Sequence, residues 1–164
     1  MALLEKQLHV KKSGIPGAGK GLFTKGFIPK GTRIVEYKGK RTVWKEVKDD
    51  DGKNGYIFYI NRNNVIDALP ATKTLARYAN DARGMVRIKG VTNNSDYIID
   101  GHRVYIEAKK DIPAKAEILV DYGREYWQVI RENLKVDRIA QKRGVNGKAK
   151  KIHHATAKRM EHHH

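Results

Sequence analysis

Apolar residues along this chain come in short runs or alternate with polar ones, and most runs are closed by glycine, asparagine or proline. Leu8 and Val10 alternate with polar neighbours, Ile34-Val35-Glu36-Tyr37 ends near Gly39, and Val65-Ile66-Asp67-Ala68 follows a turn at Asn61 to Asn64. A period of two, rich in β-branched and aromatic residues between turn signals, predicts strands. Along Tyr56-Ile57-Phe58-Tyr59-Ile60, residues 56, 58 and 60 share one face and 57 and 59 the other, so aromatics on both sides predict a strand covered on both sides. Asp100-Gly101 predicts a hairpin joining Tyr97-Ile98-Ile99 to Arg103-Val104-Tyr105-Ile106-Glu107, and Val86 to Lys89 also reads as a strand. Helical spacing appears in two places. Val43, Trp44 and Val47 predict a short amphipathic helix within Arg41 to Lys48, with Trp44 packed as core, and Trp127, Ile130 and Leu134 predict a second from Arg124 to about Ile139. The chain is therefore mainly β with short helices, an α+β class.

Several stretches stand apart from this background. Gly14-Ile15-Pro16-Gly17-Ala18-Gly19-Lys20-Gly21, followed by Leu22-Phe23, cannot hold a helix or a regular ladder and predicts strand, turn, strand. Such a turn lets the backbone approach a ligand closely; a plain hairpin loop explains the same residues. It lacks the Lys-Ser/Thr ending of a phosphate-binding loop, and the element after it is a strand, so the helix N-terminus that would hold a pyrophosphate is missing. Ile28-Pro29-Lys30-Gly31 and Ile112-Pro113-Ala114-Lys115 are turns. Asn80-Asp81, within Leu75 to Gly84, reads by itself as a polar turn after a short helix. From Glu117 the apolar run Ile118-Leu119-Val120 leads into Asp121-Tyr122-Gly123, with Tyr126-Trp127 beyond. A buried strand thus delivers a phenol to a glycine turn; a tyrosine capping a core is the plainer reading.

At 164 residues the chain holds one core plus tails. No apolar run approaches the ~20 residues of a spanning helix, and the start lacks the apolar stretch of a signal peptide, so we expect an intracellular protein with no membrane partner. The absence of cysteine excludes disulfides and thiolate zinc sites. Asp49-Asp50-Asp51 lack the spaced pattern and terminal Glu of a calcium loop, and no metal is expected. The net charge of +16 favours polyanions such as nucleic acid, through the surface and a C-terminal tail where lysine and arginine cluster among Gly, Ala and Asn. A basic surface with no specific partner explains the charge equally. The closing Glu-His-His-His resembles a purification-tag remnant.

In order and spacing, the glycine turn, the Tyr56 strand, Leu75 to Asp81 and the Glu117 stretch resemble the SET domain, the fold of many protein-lysine methyltransferases. Gly19 to Phe23 matches its Gly-x-Gly-Leu-Phe, and Ile28-Pro29-Lys30-Gly31 before Glu36-Tyr37 and the Ile66-Asp67-Ala68 strand match it further. The resemblance implies several small β-sheets with a pseudoknot and a C-terminal helix: a SET domain over 1–127, a packing helix over 128–140 and a basic flexible tail over 141–164. It implies S-adenosyl-L-methionine as cofactor, with S-adenosyl-L-homocysteine as product. Gly19, Lys20, Gly21, Leu22, Arg77, Asn80, Asp81, Tyr122 and Trp127 are implied to bind it. Tyr122 and Tyr56 are implied as catalytic, and Tyr56, Val120 and Tyr126 as lining the substrate channel. Tyr126 or Trp127 would cover the cofactor in place of the cysteine-bound segment of other family members.

Two positions depart from the family pattern. Asp81 stands where histidine is usual; it either accepts a hydrogen bond from a neighbouring tyrosine or the cofactor ammonium, which we expect, or marks lost activity. Val120 stands where a phenylalanine or tyrosine often limits methyl addition, which implies a roomier channel and more than one methylation unless another tyrosine fills the gap. The acceptor would be a lysine in a histone, a nucleic acid- or ribosome-associated protein, or this chain itself, Lys158 included. Against the basic excess, Asp96, Asp100, Asp111 and Glu125 could form a local acidic groove for such a substrate. A silent SET-like interaction module and a basic nucleic-acid-binding protein are the alternatives. Location would be cytoplasmic in a bacterium and nuclear in a eukaryote, and the oligomeric state is open.

Overall fold

The computed structural model describes residues 3–50, 54–84 and 86–123 and the backbone of 158–159. β1 (Leu8–Lys12) and β2 (Lys20–Thr24) form an antiparallel hairpin with Leu8 opposite Thr24 and Lys12 opposite Lys20, the glycine turn between them. A second sheet runs β4 (Lys40–Thr42), β6 (Asn64–Asp67), β5 (Ile57–Asn61). A third runs β3 (Arg33–Glu36), β8 (Arg103–Ala108), β7 (Ser95–Asp100), β9 (Lys158–Arg159). The predicted hairpin closes with Asp100 opposite Arg103 and Gly101 at φ 63°, a conformation that costs glycine nothing. Strand β5 is covered on both faces. Phe58 and Ile60 join the main core with Leu22, Ile34, Ile106 and Ile118, while Ile57 and Tyr59 pack with Val47, Val65 and Trp44.

The threading of 117–120 holds the sheets together. Ile118, Leu119 and Val120 are buried, yet they form no ordinary ladder. Glu117 bridges Phe23, Leu119 bridges Asn80, and Val120 bridges Ser95, so one extended segment touches β2, the Asn80 turn and β7 in succession. Its backbone groups are satisfied along the way: Ile118 N–H donates to Leu22 O at 2.7 Å and Val120 N–H to Asn80 O at 2.8 Å. The two Ile-Pro turns also meet, since Ile28 and Ile112 exchange backbone bonds of 2.9 and 2.8 Å. Gly31 turns at φ 87° in the first and Lys115 at φ 70° in the second, where a side chain pays a steric cost.

Several expectations are corrected. Lys40–Thr42 pairs with β6 as a strand, leaving only Trp44–Val47 helical; Trp44 is half-buried in the smaller cluster, edge-on to Tyr59 at 5.5 Å. Val86 to Lys89 forms no strand: Val86 and Ile88 are 44% and 36% exposed, and their apolar side chains pair with no strand among the described residues. The helix expected over 128–140 lies outside the described residues. Of the tail from 141 onward, the backbone of Lys158 and Arg159 lies parallel to β7 beside Ile98 and Ile99, satisfying part of an edge that a wholly loose tail would leave open. Among the described residues no helix is long and apolar enough to cross a membrane.

Candidate active site

Where the three sheets and the threaded segment converge lies a cavity of about 500 Å³. Its lining has two chemically different parts. One is walled by rings: Tyr37 from the end of β3, Phe58 from β5, Tyr97 from β7, and Tyr122. Tyr97 sits at the centre, with centroids 5.0 Å from Phe58, 6.0 Å from Tyr37 and 6.2 Å from Tyr122, the last nearly parallel. The other is backbone and polar groups: Ala18, Gly19 and Lys20 of the glycine turn, then Arg77 and Asn80. Gly19 turns at φ 72°, which is why a side chain is disfavoured there even though a Cβ would meet nothing within 4 Å.

Among these rings Tyr122 is held at two points. Its hydroxyl donates to the carbonyl of Ala79, and its backbone N–H donates to Asp81 Oδ2 at 2.9 Å. Asp81 is turned inward, 4% exposed, and its Oδ1 accepts from Arg83 N–H at 2.8 Å and Asn93 Nδ2 at 2.7 Å. It does accept from a tyrosine, as expected, but from the main chain, and it does not line the cavity. The Arg77 guanidinium lies 4.0 Å over the Tyr56 ring and donates to Ala68 O and Leu69 O at 2.6 and 2.7 Å. Its Nε is buried without a partner among the described residues. Asn80 Nδ2 donates to Lys20 O at 2.9 Å, tying the glycine turn to the threaded region.

Of the residues singled out in the sequence, Gly19, Lys20, Tyr56, Arg77, Asn80 and Tyr122 meet at this cavity. Gly21 and Leu22 are one step further along β2, with Leu22 fully buried in the core. Val120 is likewise fully buried and is not among the residues lining the cavity, whereas Tyr97 of β7 is. Tyr126 and Trp127 lie outside the described residues. Tyr37, Phe58, Tyr78 and Tyr97 line the cavity and were not expected there. For Tyr97 the signal was present, since β7 buries residues 95, 97 and 99 alternately. Of the acids expected to form a groove, Asp96 faces Lys109 at 4.0 Å, Asp100 pairs with Arg33 at 3.0 Å, and Asp111 accepts from Lys30 N–H at 2.8 Å. Glu125 lies outside the described residues.

Small antiparallel sheets, a segment threaded past Asn80, and a cavity lined by rings and by polar groups together define a SET-type fold. The SET domain family model matches residues 19–123, and the chain belongs to that family. It is 33% identical over 127 residues to a Plasmodium falciparum (isolate 3D7) protein named for histone-lysine N-methyltransferase activity, covering 71% of this chain and 2% of that protein. It is 29% identical over 142 residues to histone-lysine N-methyltransferase set-1 of Caenorhabditis elegans, covering 79% of this chain and 55% of the relative. The chain thus spans about half of one curated relative and a small part of the other. The methyltransferase domain of human PR domain-containing protein 2 superposes with a TM-score of 0.53 at 24% identity, covering 70% of this chain and 75% of that one.

Proposed function

We propose that this chain is an S-adenosyl-L-methionine-dependent protein-lysine N-methyltransferase domain. The observation that carries the reading is Tyr122, fixed by Ala79 O and Asp81 in a cavity lined by aromatic rings and by the glycine turn. The polar part suits the cofactor. The whole cavity's volume falls in the usual range for small-molecule sites, Gly19 leaves room for close approach, and the orphaned Arg77 Nε is a buried donor suited to an anionic group such as a carboxylate. Gly19, Lys20, Arg77 and Asn80 would hold it, and it supplies a methyl group on a sulfonium.

The chain's own residues do the rest by position and desolvation. A lysine side chain attacks only as the neutral amine, and rings of Tyr37, Phe58, Tyr97 and Tyr122 around a narrow passage exclude water and disfavour the ammonium. Arg77, stacked on Tyr56 in the polar part, adds positive charge that works in the same direction. Tyr122 and Tyr56 orient amine and methyl in line. Tyr97, nearly parallel to Tyr122 at 6.2 Å, is a further tyrosine in the lining, which favours monomethylation over the multiple methylation expected from Val120.

The acceptor is a lysine in a protein, and the names of the two curated relatives favour a histone; such a substrate places the chain inside the cell, in the nucleus of a eukaryote. Nucleic acid as a co-partner rests on the charge of +16 alone. The silent-module alternative rested on Asp81, and its bond to Tyr122 argues for the active one. The test is incubation with methyl-labelled cofactor and a panel of histone, ribosomal and self-derived proteins, with Tyr122→Phe alongside. Label on lysine that is lost in the variant supports the reading; no label on any protein overturns it.

A further inference from the structure

Glu117 begins the threaded segment, and nothing in the proposed transfer calls for a carboxylate at that point. Yet it collects donors from two distant stretches of chain. Its Oε2 accepts from Ser13 Oγ at 2.6 Å and from Asn80 Nδ2 at 3.4 Å, and its Oε1 accepts from Gly14 N–H at 3.0 Å. Ser13 is buried and in turn accepts from Ile15 N–H at 3.0 Å, so the carboxylate grips the start of the glycine turn. At the turn's far end a Cβ on Gly21 would run into the same carboxylate, so that side is closed by packing. Asn80, its remaining partner, donates to Lys20 O, and both Asn80 and Lys20 line the cavity.

We propose that Glu117 is a positioning residue that sets the shape of the glycine turn and of Asn80 for cofactor binding, an inference that rests on the methyltransferase reading. The chemistry explains why a carboxylate stands there. It offers acceptor sites only, and each donor around it needs one. Glutamine has nearly the same shape but turns an NH2 toward one side. Facing Gly14 it meets an N–H that cannot reverse. Facing Ser13 and Asn80 it can donate to the Ser13 hydroxyl but opposes the Asn80 amide, whose rotation would break the bond to Lys20 O. In either orientation one end of the cofactor cradle loosens while the aromatic passage, which Glu117 does not touch, is left intact.

The test is Glu117→Gln in the full chain, with Ser13→Ala as a milder second variant should the first fail to fold. Titration calorimetry gives the S-adenosyl-L-methionine Kd, and steady-state assays at saturating cofactor give kcat and the acceptor KM. We expect Kd to rise on the order of tenfold for Glu117→Gln and by less for Ser13→Ala, as the loss of one hydrogen bond to a charged group implies. The acceptor KM should stay unchanged and kcat should be largely retained, with Glu117→Asp recovering part of the affinity. An unchanged Kd in a folded variant overturns the proposal, as does a fall in kcat with Kd intact. Failure of the unsubstituted chain to bind cofactor would instead overturn the methyltransferase reading.

Discussion

Replacing Asp81 with asparagine separates a role through Tyr122 from a role at the cofactor. The carboxylate is 4% exposed and takes donors from Arg83 N–H, Asn93 Nδ2 and Tyr122 N–H. Asn93 cannot turn its amide over to compensate, because its Oδ1 already accepts from Ala82 N–H at 2.8 Å. Asparagine therefore keeps its oxygen toward Arg83 and Asn93 and sets an NH2 against the N–H of Tyr122. One bond to a charged acceptor gives way to two donors facing each other in a half-buried place, a cost of about 3 kcal/mol. For a domain of this size that lowers the melting temperature by about 10 °C. Circular dichroism melts measure the stability, and labelled transfer at a temperature where the variant is folded measures the rate. Both should fall, while cofactor Kd should stay unchanged, since Asp81 does not line the cavity. A variant as stable as the parent, or one with weakened cofactor affinity and normal stability, would refute the reasoning.

Tyr122→Phe removes the hydroxyl bonded to Ala79 O and should lower kcat by about 100-fold with the fold retained, read by labelled transfer and circular dichroism. Tyr97→Leu, which removes the ring stacked on Tyr122, should shift mass-spectrometric products from monomethyl towards di- and trimethyl lysine; a parent enzyme already yielding trimethyl product would refute the role given to that ring. Lys115→Gly, which relieves a positive φ that its twin turn assigns to Gly31, should stabilise by up to about 1 kcal/mol in denaturant titration.

Much of this was legible where the information is local. Alternation along Tyr56 to Ile60 placed residues on the correct faces, and Asp100-Gly101 named the hairpin, because a period of two and a turn dipeptide act over a few residues. The glycine turn, Arg77 and Asn80 were implied by the resemblance to the SET domain, and they line the cavity. What alternation cannot say is which segment covers a face. Val120, which the resemblance implied as a channel residue, is fully buried beside Ser95 of β7, while Tyr97 of the same strand lines the cavity. The inward turn of Asp81 depends on Asn93, which lies beyond an intervening loop. Val86 to Lys89 misled for the opposite reason, since an apolar run with no neighbour to pair with stays exposed.

The threaded segment also dictates when this domain can finish folding. On a ribosome the hairpin at residues 8–24 and the turn at Asn80 emerge long before the stretch that must pass between them. Until Tyr122 clears the exit tunnel, the apolar faces that await Ile118, Leu119 and Val120 remain open, and a nascent chain paused short of that point is a target for chaperones and for aggregation.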